Sequence, residues 1–163
     1  LRQRTAFSVA AAFNPNVANV EKAVSRLERK IASGADYILT QPVYSEEKII
    51  ELKEATAHID TPIFVGIMPL TSTKNAEFLH NEVPGIKLTD EVRARMKAVA
   101  GNRELSTKES IAISKELLDV ALQHFNGIYL ITPFMRYDII VELVHYVHER
   151  TGALEEKHRL ANL

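Results

Sequence analysis

Four short apolar, β-rich runs alternate with longer stretches of helical spacing, and that alternation restricts the chain to a parallel α/β fold. The runs are Phe7 to Ala12, Tyr37 to Thr40, Pro62 to Ile67 and Ile128 to Thr132. After the first, Phe13-Asn-Pro-Asn16 reads as a turn. Val17, Val20, Val24, Leu27 and Ile31 then predict a helix, capped by Asn16 or Asn19 and stopped by Gly34. Ser45 caps a second helix, with Glu46 and Glu47 in the first turn and Ile49, Leu52 and Thr56 as its buried side.

Three helices are expected after the third run. One begins at Thr71 or Ser72, runs through Leu79 and is broken at Pro84-Gly85. The next spans Thr89 to Val99, with Val92, Met96 and Val99 on one face. The third is long: Ser106-Thr-Lys-Glu109 reads as a capping box, and the helix reaches Phe125, with Gly127 as its stop. Tyr137, Ile140, Val141, Val144 and Val147 mark a last helix ending at Gly152. The domain reading is therefore one α/β unit over residues 1–152 and a polar tail over 153–163.

Composition removes several function classes. A net charge of −1 over 163 residues gives no electrostatic footprint for nucleic acid. The chain has no cysteine, so disulfides, thiolate metal sites and a thiol nucleophile are excluded, and a reducing, cytoplasmic setting is expected. No apolar run approaches the ~18 residues of a membrane span. Leu-Arg-Gln-Arg-Thr is not the start of a signal peptide and lacks an initiator methionine, so an internal start is expected. There is no Gly-x-Gly-x-x-Gly for a dinucleotide fold and no Gly-x-Ser-x-Gly for a serine nucleophile.

Gln41 is the strongest candidate site residue. It stands at the carboxyl end of the second run, where parallel α/β proteins bind ligands, and Pro42 stops the ladder beyond it. An amide donates and accepts at once, which suits the edge of a heterocycle better than a phosphate. The plainer reading is a loop amide satisfying its neighbours. Arg136 follows the fourth run at the start of a helix, where the helix dipole disfavours a cation, and this points to a ligand with acceptor groups. Asn75 is by position an ordinary first-turn helix residue, and Arg26, Arg29 and Lys30 an ordinary solvated basic face. Glu142, His145 and His148 share a helical face, a spacing that surface residues adopt more often than metal ligands. The pattern alone fits two architectures: a self-contained, open four-stranded ligand-binding module without catalysis, or half of an eight-stranded barrel, which needs ~250 residues when whole.

Three segments carry a resemblance: Gly34-Ala-Asp-Tyr-Ile-Leu-Thr-Gln-Pro-Val-Tyr44, Gly66-Ile-Met-Pro69 and Thr132-Pro-Phe-Met-Arg136. In this order they resemble the methylenetetrahydrofolate reductase family, over about Phe7 to Val147. Thr-Gln-Pro-Val-Tyr is most similar to the reductase part of bacterial bifunctional homocysteine S-methyltransferase/5,10-methylenetetrahydrofolate reductases. The resemblance implies the second half of a (β/α)8 TIM barrel. It also implies FAD as cofactor, NADH or NADPH as reductant, and a folate substrate in one-carbon metabolism and methionine biosynthesis.

By the same resemblance Gln41, Asn75 and Arg136 contact folate, with Gln41 also meeting nicotinamide. Ala12, Phe13, Asn16, Arg26, Arg29 and Lys30 fall where the family holds the flavin. The family's acidic glutamate and flavin-tuning aspartate belong to the first half of its barrel and have no counterpart here. No catalytic residue is therefore expected in this chain. The expectation is a chain inactive by itself, partnered by a missing amino-terminal half and an upstream methyltransferase domain, and homo-oligomeric.

Overall fold

The computed structural model describes residues 6–125 and 127–161. The first five residues of the expected internal start, and the last two of the expected tail, lie outside that range. In chain order the elements are β1 (Ala10–Phe13), α1 (Val20–Ala32), β2 (Tyr37–Thr40), α2 (Glu46–Ala55) and β3 (Ile63–Ile67). They continue with α3 (Thr73–Glu82), α4 (Asp90–Ala98), α5 (Arg103–His124), β4 (Gly127–Leu130) and α6 (Tyr137–Ala161).

Local chemistry places most helix starts. Asn19, Ser45, Ser72 and Thr89 each sit in extended backbone and accept a hydrogen bond from an amide in the first turn. Gly34, at φ 104°, gives the left-handed turn that ends α1.

Four expectations about boundaries need correction. The first run does not pair from Phe7: β1 begins at Ala10, opposite Tyr37, and before it only Val9 is tied to the start of β2, through Asp36 and the Tyr37 amide. Phe7 is consequently 79% exposed and Val9 51%. Ser106 is not the cap of α5. Gly101 turns the chain in left-handed backbone, and Asn102 caps the Leu105 amide at 3.0 Å. Ser106, one turn inside, donates its hydroxyl to the Val99 carbonyl, and Glu109 pairs with Arg95 instead of reaching back to a cap. Phe125, not Gly127, closes α5, and Gly127 opens β4. Lastly, α6 continues through Gly152 to Ala161, since one glycine costs a helix only ~1 kcal/mol.

The sheet is parallel throughout, in the order β1-β2-β3-β4. Right-handed crossovers that always advance in one direction put every helix on the same face. The helix layer follows: α1 packs on β1 and against α2, α2 against α5, and α5 against β3, β4 and α6. Beneath it lie Ile38, Val65 and Ile67, all essentially inaccessible. By strand alternation Tyr37, Leu39, Phe64 and Tyr129 occupy the opposite face, and all four are only half-buried. Tyr37 and Phe64 meet edge to face there, with ring centroids 5.8 Å apart. There is no reversal of strand order, and so no switch point of the doubly wound kind. None of the described helices is long and apolar enough to cross a membrane.

Candidate ligand site at the carboxyl ends of the strands

The carboxyl end of β2 is held from three sides. The Gln41 amide donates to the Phe13 carbonyl of β1 at 2.7 Å. The Thr40 hydroxyl donates to the Gln41 carbonyl at 2.9 Å and accepts the Gly66 amide of β3 at 2.9 Å. The Tyr129 phenol of β4 donates to the Thr40 carbonyl. Gly66 makes that last bond possible, because a Cβ there would lie 2.9 Å from both the Thr40 carbonyl oxygen and the Tyr129 hydroxyl. Beyond Gln41, Tyr44 is buried and donates to the Met68 carbonyl at 2.8 Å, and its phenol is pushed well above the ordinary range by that burial.

Gln41 itself is exposed and lines a cavity of ≈ 270 Å³ with Ala12, Phe13, Arg26 and Lys30, in the angle between β1 and α1. Lys30 crosses that angle and donates to the Ala12 carbonyl at 2.6 Å. A second concavity beside it is lined by Val9, Arg26, Arg29 and Lys30. Neither cavity has a carboxylate among its lining residues. The result is an apolar floor under a run of cations, which suits a ligand with an aromatic body and anionic linkers.

Asn16 sits apart from these cavities. Its amide nitrogen donates to the Pro42 and Gly85 carbonyls, both at 2.9 Å, and so ties together the loops after β1 and β2 and the turn between α3 and α4. Asn75, beyond the carboxyl end of β3, accepts the Thr71 amide at 3.0 Å through its side-chain oxygen. Leu79 is a core residue, 6% exposed.

Arg136 follows β4 after a tight turn in which Phe134 and Met135 both adopt left-handed backbone, at φ 45° and 58°, and both are 75% exposed. Left-handed backbone at two consecutive non-glycine residues stores local strain. The guanidinium donates to Asp138 at 2.6 Å and to the Thr107 hydroxyl of α5 at 3.0 Å. Glu142 pairs with Lys115 at 2.8 Å, and no group of three potential metal ligands forms among the described residues.

The Arg136 hydrogen bonds hold the Asp138 carboxyl down to about 2. A depressed folded-state pKa means that the pair is fully made above the ordinary carboxylate range, near ~4, and is lost as pH falls through about 2. A carbon-13 NMR titration of Asp138 is expected to give a midpoint near 2, and Arg136→Met to move it up toward ~4. A midpoint near ~4 in the unaltered protein would contradict the pairing.

Sequence reasoning missed Thr40, Gly66 and Tyr129. The available signal was the glycine inside the apolar run Ile63-Phe-Val-Gly-Ile67, since a mid-strand glycine often marks close approach by another group.

Fold and site together define a parallel α/β protein with polar side chains gathered where the strands end, the place such folds use for ligands. The chain belongs to the methylenetetrahydrofolate reductase family, which it matches over residues 5–147. A search of curated proteins finds no match. Among solved structures the chain is similar to an uncharacterized protein from Clostridium thermocellum that binds two copies of 5-methyl-5,6,7,8-tetrahydrofolic acid, with TM-score 0.58 and 18% identity over 89% of this chain and 54% of that one. At 18% identity the likeness is one of fold, and this chain spans about half the length of that structure (54%).

Proposed function

We propose that the chain is the carboxyl-terminal half of a (β/α)8 barrel in a flavin-dependent reductase. That enzyme converts 5,10-methylenetetrahydrofolate to 5-methyltetrahydrofolate at the expense of NADH or NADPH. The observation that carries the proposal is the site itself: Gln41, its backbone held by the Phe13 carbonyl, the Thr40 hydroxyl and, through the Thr40 carbonyl, the Tyr129 phenol, opens onto a cation-lined, carboxylate-free cavity. Family membership supports the chemistry.

The residues present fit FAD. Ala12 and Phe13 offer apolar surface, and Arg26, Arg29 and Lys30 offer donors for the pyrophosphate and the adenosine end. When bound, FAD supplies the hydride chemistry, taking a hydride from nicotinamide and giving it to the folate. The chain's own share is recognition. Gln41 reads the donor and acceptor edge of the pterin and, in turn, the nicotinamide amide. Asn75 and Arg136 approach from the ends of β3 and β4, and Asn16 holds the loops around them.

The half-barrel reading is supported by the one-sided helix layer and by apolar surface at both open edges. Phe7 and Val9 are exposed just before β1, and Tyr137, Val141 and Val144 are exposed on α6, the helix that follows β4. Paired edges and a covered inner face require further strands. A self-contained module is the poorer fit for the same reason. The acid that protonates the folate lies outside this chain in the proposal, and the isolated chain is inactive. A fused methyltransferase domain and self-association complete the reading.

In the natural protein, Gln41→Ala is expected to slow methylenetetrahydrofolate reduction by about tenfold or more, a lost two-way hydrogen bond to a buried ligand group. Lys30→Ala is expected to weaken FAD retention, read from flavin absorbance after gel filtration, with folate binding unchanged. Full activity in the Gln41 variant would sink the assignment.

A further inference from the structure

The pairing of β2 with β3 stops at Leu39 and Phe64, before either strand ends at Thr40 and Ile67. The Gly66 amide, which a continued ladder would give to the Thr40 carbonyl, goes to the Thr40 hydroxyl instead. The carbonyl thereby left over is taken by the Tyr129 phenol. Gly66 pairs directly with Tyr129, and Gln41 is one step beyond Thr40, so Gln41, Gly66 and Tyr129 stand in one row across the sheet on the face away from the helices. The glycine lets the phenol pass over β3 with no side chain in the way.

We infer that Tyr129 is a positioning residue for the Gln41 amide. This rests on the reading of Gln41 as a ligand contact. Gln41 lies just past the last residue of β2 and just before a proline, and regular pairing with β3 no longer fixes its backbone. Its own amide continues the ladder to the Phe13 carbonyl of β1, while two side chains hold the rest: the Thr40 hydroxyl its carbonyl, and Tyr129 the preceding carbonyl. A side-chain amide that must match a heterocycle edge needs its Cα held within about 0.5 Å. Without the phenol, the Thr40–Gln41 peptide keeps only its N–H bond to the Phe13 carbonyl, and the side-chain amide is aimed over a wider range.

A mutant cycle on the natural protein tests this, with 5-methyltetrahydrofolate affinity measured by calorimetry and melting temperature measured alongside. Tyr129→Phe keeps the ring and removes only the hydroxyl. It is expected to weaken folate about fivefold, while Gln41→Ala weakens it more and the double variant binds no worse than Gln41→Ala alone. A merely structural tyrosine would lower the melting temperature and leave affinity alone. If Gln41→Ala binds folate normally, the reading of Gln41 has failed and this inference with it. If Gln41→Ala weakens binding but Tyr129→Phe does not, or if their losses multiply in the double variant, Gln41 stands and the positioning role is wrong. Should Tyr129→Phe not fold, Thr40→Val, which removes the hydroxyl arm of the same frame, replaces it in the cycle.

Discussion

Leu118→Ala is expected to destabilise the protein by about 3–4 kcal/mol, the middle of the range for truncating a buried leucine. Leu118 is 0% exposed in the carboxyl-terminal half of α5. That helix touches α2, α4 and α6 on its flanks and β3 and β4 beneath, so it is the hub of the helix layer. A cavity opened under a side chain walled by several independent elements collapses little, because each wall is fixed by its own contacts elsewhere. Against a total stability of about 5–15 kcal/mol, the loss is severe. Urea unfolding is expected to show a lower midpoint at unchanged slope. A loss below ~1 kcal/mol would mean that α5 is not the hub.

Gly66→Ala is expected to be the most damaging small substitution on the sheet. The new Cβ would sit 2.9 Å from the Thr40 carbonyl oxygen, a backbone atom held in the sheet, and 2.9 Å from the Tyr129 hydroxyl. Backbone does not yield cheaply, so the phenol must leave and its hydrogen bond with Thr40 is lost. Overpacking costs about 1–3 kcal/mol, and the forfeited hydrogen bond adds about 1 kcal/mol. Unlike Leu118→Ala, this change strikes stability and the site together, since Gln41 loses one of its three restraints. Thermal melting should fall and folate affinity should weaken in the same variant. An alanine variant that melts within a degree or two of the parent, with Tyr129 unmoved in its crystal structure, would refute the close packing described here.

Some parts of the site were readable in the chain and others were not. Gln41 could be found from order alone: an apolar run, then an amide, then a proline, puts a functional group at the carboxyl end of a strand. Arg136 could be found in the same way, but its clamp on Thr107 and Asp138 could not, because Thr107 is 29 residues away along the chain. Asn16 was read as a cap or a flavin neighbour, and its amide spans to carbonyls 26 and 69 residues away. The Ser106 box failed for a related reason. Two competing cap sequences lie within one turn, and the left-handed turn at Gly101 selects Asn102.

The sequence by itself determined the kind and order of the elements, and hence a parallel sheet. Periodicity, caps and glycine stops are local, and local energies are enough to choose helix or strand. It also placed polar candidates at strand ends, because chain order puts them there. Only the tertiary structure decided that the strands run in unbroken order with the helices on one face, since the direction of each crossover depends on packing between distant segments. Only the fold, too, brought Thr40, Gly66 and Tyr129 around the Gln41 backbone. Three strands contribute one residue each, and no local pattern links them until the sheet sets its register.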